Sequence, residues 1–188
     1  MAWLLIGILL WSAVHFIPCL APGFRRSVQE RLGENAYKAM FLAGILAAIT
    51  LMVMGWRATD PWSLYEPPSW GRPVGGILTL AAFLLFAFSQ AKTNVKRLLR
   101  HPQLTGLVLW AIGHLFVNGD NRSLVLFGGL AFWALLEMVL INRREGAWRK
   151  PERVPLTAEI LPAGIGLALF VVFLFAHPIL FGVSPFPQ

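Results

Sequence analysis

Charged side chains are scarce in this 188-residue chain, 13% of it, against roughly 25% in soluble domains. With 57% hydrophobic residues and a mean hydropathy of +0.65, that scarcity excludes a soluble globular domain. Cysteine is almost missing. Cys19 stands alone, so no intrachain disulfide can form, and it gives no reading of the redox compartment. Acidic residues number nine against sixteen basic ones, and there are four histidines. Internal repeats and low-complexity tracts are missing too. The first twenty residues, MAWLLIGILLWSAVHFIPCL, lack the positively charged start and small-residue cleavage site of a secretory signal. They are expected to stay as a transmembrane helix, and "FIPC" does not suit lipidation of Cys19.

What the chain does have is long apolar runs. Hydropathy and breakers predict six spans, at about residues 2–21, 36–56, 73–90, 103–118, 122–141 and 160–182. The segments "APGF", "DPW", "YEPPSWGRP", "NGDN" and "KPERVP" punctuate them. The expected fold is all-α: one polytopic membrane helical bundle occupying residues 1–188. Arg25, Arg26, Arg31, Lys38, Lys92, Lys96, Arg97, Arg100, Arg143, Arg144, Arg149, Lys150 and Arg153 fall on alternate loops, 13 of the 16 basic residues. Only Arg57, Arg72 and Arg122 are left for the other face. The positive-inside rule then sets the basic loops in the cytoplasm and both termini outside. The net charge of +7 is explained by topology and anionic headgroups, so the expected partner is the lipid bilayer and not nucleic acid. Tyr37 and the tryptophans at 3, 56, 62, 70 and 148 read as interfacial or loop anchors.

Burying an ionisable side chain in lipid costs free energy, so such residues inside spans are the candidates for function. They are His15, Cys19, His114, Glu137 and His177, with His101 at a span boundary. Trp11, His15 and Cys19 recur every fourth residue and share a helix face, beside Ser12. Pro18 removes a backbone donor one turn later and is expected to kink the helix near His15. Trp110, His114 and Asn118 repeat the same spacing, and Gly113 allows close approach of a helix or cofactor. His101 and His114 are thirteen residues apart, about 20 Å of helical rise and nearly opposite in direction, so they cannot hold one ion. Each histidine also has an ordinary reading. His15 can be a hydrogen-bonded core residue, His114 and Asn118 an interhelical pair, and His101 a cap at the start of span four. Glu137 reads as a snorkelling or Arg143-paired residue, His177 as interfacial, and Cys19 as a small buried apolar group.

Zinc wants three or four ligands, which the spans do not supply together. Haem needs only one or two axial nitrogens in apolar surroundings, which His15 and His114 offer. Depth argues against simple pairing: by helical rise His15 lies about 20 Å from the outer end and His114 about 6 Å. Joining them requires a tilted group, a shifted helix or a different boundary for span four.

Four segments carry a resemblance. "H-x-x-P" at the end of span one, "RLGENAYKAMF", "RHPQLTGLVLWAIGHLFVNGD" and "LVLFGGLAFWALLEM" resemble the NnrU-domain membrane proteins, from His15 to about Arg144. The third of these is the most specific. The resemblance implies a bacterial inner-membrane, multi-pass protein linked to denitrification and nitric oxide metabolism. The domain is also similar to the plastid 15-cis-zeta-carotene isomerase, an integral-membrane haem b protein. That similarity implies haem b, with His15 and His114 as the metal ligands. Trp11, Trp110, Asn118, Arg100 and His101 are the further cofactor-binding candidates. Two departures stand out. Ala111 occupies the position of the isomerase's cysteine three residues before the second histidine, and "FWALLE" replaces its paired histidines in span five.

Three functions follow as expectations. The first is a haem protein of redox or nitric-oxide-linked chemistry with a small apolar or diatomic ligand, possible cis–trans isomerisation of a polyene included. The second is a membrane methyltransferase using S-adenosylmethionine. "RHPQLTG" is similar to the opening of the isoprenylcysteine type, although Leu104 stands where that motif has tyrosine and its "E-E-x-x-L" element is missing. The third is a non-enzymatic assembly factor for a respiratory reductase, with a homo-oligomer or that reductase as partner. A transporter is disfavoured, because matched broken helices and midplane charges are not evident.

Overall fold

The computed structural model describes residues 1–186, and among them there is no strand longer than an isolated bridge. The fold is all-α. Seven helices follow in order: α1 (Ala2–Leu20), α2 (Pro22–Leu32), α3 (Glu34–Arg57), α4 (Gly71–Ser89), α5 (Pro102–Leu115), α6 (Asn121–Glu145) and α7 (Ile160–Phe181). Five of them, α1, α3, α4, α6 and α7, are long and apolar enough to cross a membrane. The chain is thus a multi-pass membrane protein.

The fourth expected span, 103–118, is where structure and expectation part. The helix there, α5, has 14 residues, about 21 Å of rise against a hydrocarbon core of about 30 Å. Pro102 occupies its first turn, and Asn118 stops it by donating Nδ2–H to the His114 carbonyl at 2.9 Å. Even so, α5 runs from one end of the bundle to the other. His101 before it bonds Asn142 near the end of α6, while the Leu115 carbonyl meets Tyr65 in the loop that precedes α4.

A second difference lies after α1. The helix continues through Pro18 to Leu20, and the chain turns at Ala21 (φ −130°, ψ 55°) into α2. This stretch, expected as a loop, is an 11-residue helix with no buried residue, ended by Gly33 at φ 86°. Polar and basic residues dominate it, so it gains nothing from entering the bundle and lies along its surface.

The main contacts put the helices in the spatial order α3, α1, α6, α5, α4, α7. The apolar core is Leu4 and Ile8 of α1, Ala48 and Met52 of α3, and Leu130 of α6. On the far side α4 and α5 cross at Gly75 and Gly113: a Cβ on Gly75 would stand 2.6 Å from the Gly113 carbonyl oxygen. Small residues allow such approach in lipid, where packing and not the hydrophobic effect holds helices together. Helix α7 touches the rest mainly through Phe170 and Phe173 against Phe83 and through Gly166 beside Leu84.

Loops gather at two ends. At one, the chain between α3 and α4 latches onto that between α5 and α6: Leu64 and Tyr65 donate N–H to the Gly119 carbonyl, and Trp62 and Asn121 bond each other. Asp120 caps α6 through Ser123. Arg122 stacks over Trp56 at 4.5 Å and pairs with Asp120 at 3.6 Å. At the opposite end Asn94 bonds Val154 and Glu159, Arg97 bonds the Pro151 carbonyl, and Arg100 bonds Gly146 and Glu145. Helix α2 and Arg144 also lie at this end, so the basic residues grouped by sequence share one face of the molecule.

Candidate functional site

Both intramembrane candidates are held in the same way. The Nδ1–H of His15 donates to the Trp11 carbonyl at 2.8 Å, and that of His114 donates to the Trp110 carbonyl at 2.8 Å. A carbonyl can only accept, so each bond puts the proton on Nδ1 and leaves Nε2 with a free lone pair. The helix itself supplies this orientation, because a carbonyl four residues back lies on the same face.

Aromatic rings build the surroundings. His15 lies 4.3 Å from Trp11, 4.8 Å from Trp133 and 5.5 Å from Phe41, centroid to centroid. His114 lies 4.7 Å from Trp110 and stacks on Phe127 at 4.6 Å and 29°. Trp133 and Phe127 both belong to α6 and were not expected to take part. Phe127 sits in a π-helical segment, Leu124–Gly128, that interrupts the regular turn of α6 and sets its ring against His114. The sequence hint to that distortion is the Gly128–Gly129 pair.

The two imidazoles are not in contact. They rest on side chains six residues apart along α6, about 9 Å of rise, while Trp11 and Trp110 both pack against the core cluster. The depth difference read from the sequence is therefore retained. Neither the cleft of about 290 Å³ beside Arg26 nor that of about 580 Å³ beside Arg100 is lined by either histidine.

The other candidates separate. Asn118 serves the His114 backbone within its own helix end and not a partner helix. Arg100 and His101 stand at the other end of α5 from His114. His101 is the N-cap residue of α5, yet its ring bonds Asn142 at 2.9 Å and caps nothing. Glu137 does not snorkel: it is 8% exposed with Oε2 unpartnered. His177 also locks its Nδ1–H, onto the Val183 carbonyl at 2.7 Å. Cys19 is a half-buried free thiol.

Unpartnered polar atoms concentrate near His15. The indole N–H groups of Trp11 and Trp133 are buried without an acceptor, as is the Tyr37 hydroxyl, whose ring lies 6.4 Å from Phe41. Native interiors leave few such groups, so donors orphaned beside a free imidazole nitrogen fit a ligand that accepts hydrogen bonds. At His15 the residues present would thus offer a flat acceptor ligand one ring nitrogen, aromatic walls and free donors. At His114 the nitrogen and the walls recur without the donors. Among the described residues no three metal-ligating side chains converge, which does not fit zinc.

A helical membrane bundle with backbone-locked, aromatic-walled histidines is the class that fold and site define. The chain belongs to the NnrU protein family, which it matches over residues 3–185. Neither a curated protein nor a solved structure matches it.

Proposed function

We propose that this chain is a haem b protein of the bacterial inner membrane, its basic end facing the cytoplasm and both termini outside. His15 and His114 are the residues that would hold the haem, each offering a ring nitrogen. The observation that carries this reading is the Nδ1–H bond, repeated on two helices, that leaves each Nε2 free in an apolar aromatic setting. Haem, when bound, supplies an iron that accepts a diatomic gas or an apolar double bond, in keeping with nitric-oxide-linked chemistry or polyene isomerisation. The protein's own part is to aim the imidazoles, exclude water with Trp11, Trp133 and Phe127, and offer indole N–H donors near His15.

The test is the absorption spectrum of the full chain, purified in detergent after haem-replete expression, oxidised and reduced. A Soret band is expected, altered in His15→Ala and in His114→Ala. Its absence from the wild-type protein, or a spectrum unchanged from wild type in both variants, overturns the reading.

A second reading has one observation in its favour. The larger cleft, about 580 Å³, is lined by Arg100 and His101 of "RHPQ" together with Ile141, Glu145, Ala147, Trp148 and Arg149. A methyltransferase using S-adenosylmethionine would bind it there. Calorimetric titration with S-adenosylmethionine separates the two: binding lost in His101→Ala favours this reading, and no heat rejects it.

A further inference from the structure

A separate cleft opens at the basic end. It measures about 290 Å³ and is lined by Pro18 of α1, Pro22, Arg25, Arg26 and Gln29 of α2, and Arg144 of α6. Three guanidinium groups and an amide line it, with no carboxylate among the lining residues. Arg144 pairs with exposed Glu145 at 3.0 Å, whereas Arg25 and Arg26 form no ion pair among the described residues. Arg25 rests over the Tyr37 ring at 5.6 Å. Like charges brought into one cleft repel, and the carboxylate that pairs with a cleft arginine, Glu145, is an exposed neighbour of Arg144 and does not line the cleft.

The setting indicates where the anion comes from. Helix α2 buries nothing and leaves Phe24 55% and Leu32 60% exposed, as an amphipathic helix at a membrane surface does. Pro18 and Arg144 belong to membrane-spanning helices, so the cleft lies where headgroups reside. Arginine's planar fork matches phosphate oxygens two at a time, which neither carboxylate-free apolar walls nor a lone lysine provides.

We propose that this cleft binds a phosphate group, that of an anionic phospholipid held between α2 and α6. Arg25, Arg26 and Arg144 grip its oxygens, and Gln29 donates through its amide. The site is independent of haem and goes beyond the functional reading above.

Native mass spectrometry of the full chain in detergent, titrated with phosphatidylglycerol, phosphatidylcholine or inorganic phosphate, tests it. Phosphatidylglycerol is expected to bind in preference to phosphatidylcholine. Arg26→Gln and Arg144→Gln are each expected to weaken it about tenfold, the worth of one lost charge-assisted pair. Lys96→Gln, a basic residue of the same end outside the cleft, keeps wild-type binding. Binding of inorganic phosphate alone, lost in the same variants, keeps the phosphate site and assigns its source to solution. Equal affinity for the two lipids, or equal loss in Lys96→Gln, overturns the proposal. Thermal melting of each variant separates loss of the site from loss of the fold.

Discussion

At the scale of the residue, the distinctive fact is that backbone carbonyls and not side chains orient His15 and His114. Carboxylate partners orient many ligand histidines, but in lipid a carboxylate is expensive to keep, and a helix carbonyl is already present. Nitrogen NMR of the ligand-free protein is therefore expected to show both rings neutral and protonated on Nδ1. An Nε2–H tautomer at either position removes the basis for axial donation there. The four-residue spacing of tryptophan before histidine could be read from the sequence, and the carbonyl bond follows from it. The rings facing each histidine could not, because Phe41, Phe127 and Trp133 come from other helices and are set by packing.

Elements explain what single residues do not. Gly75 and Gly76 are neighbours in α4, yet only Gly75 touches α5; a Cβ on Gly76 meets nothing within 4 Å. Gly75→Ala is expected to cost about 1–3 kcal/mol by forcing the helices apart. Gly76→Ala should be neutral or gain up to about 1 kcal/mol of helix propensity. Thermal melts in detergent compare them, and equal effects would contradict the close crossing. The end of α5 provides another case. The Tyr65 hydroxyl shares its proton between the carbonyls of Leu115 at 2.6 Å and Asn118 at 2.9 Å. Burial first, then Asp120, raises its pKa. A raised folded pKa means this contribution is whole below the ordinary tyrosine value of about 10 and is lost as pH climbs through the folded value. Tyr65→Phe should lose about 1 kcal/mol at neutral pH, the gap to wild type narrowing above about pH 10. A gap constant into strong alkali would mean that the hydroxyl is not the source.

The whole molecule is a bundle with charge sorted to one end and a latch of loops at the other. Because α5 connects the two ends despite its length, six segments alternate in direction although five are of spanning length. The alternation predicts sidedness. In a Cys19→Ala background, Ser63→Cys should react with an impermeant maleimide from outside intact cells, and Lys96→Cys only after lysis. Reaction at both positions, or the reverse pattern, would remove the assigned orientation.

Composition and periodicity determined the helical class, the apolar segments and the grouping of basic loops, because lipid solvation and backbone satisfaction are decided locally along each segment. The segment at 103–118 is the shortest of the six by hydropathy, but its end is not legible there: hydropathy continues through Phe116 and Val117, while the helix stops where Asn118 and Tyr65 satisfy its last carbonyls. The helical state of α2 was missed as well, since its polar residues resemble a loop until an interface gives the helix somewhere to lie. Tertiary structure alone decided which rings enclose each histidine, that the two imidazoles stand at different levels of α6, and that arginines from α2 and α6 meet in one cleft. Those facts depend on helix rotation and offset, which arise from interlocking side chains distant in sequence.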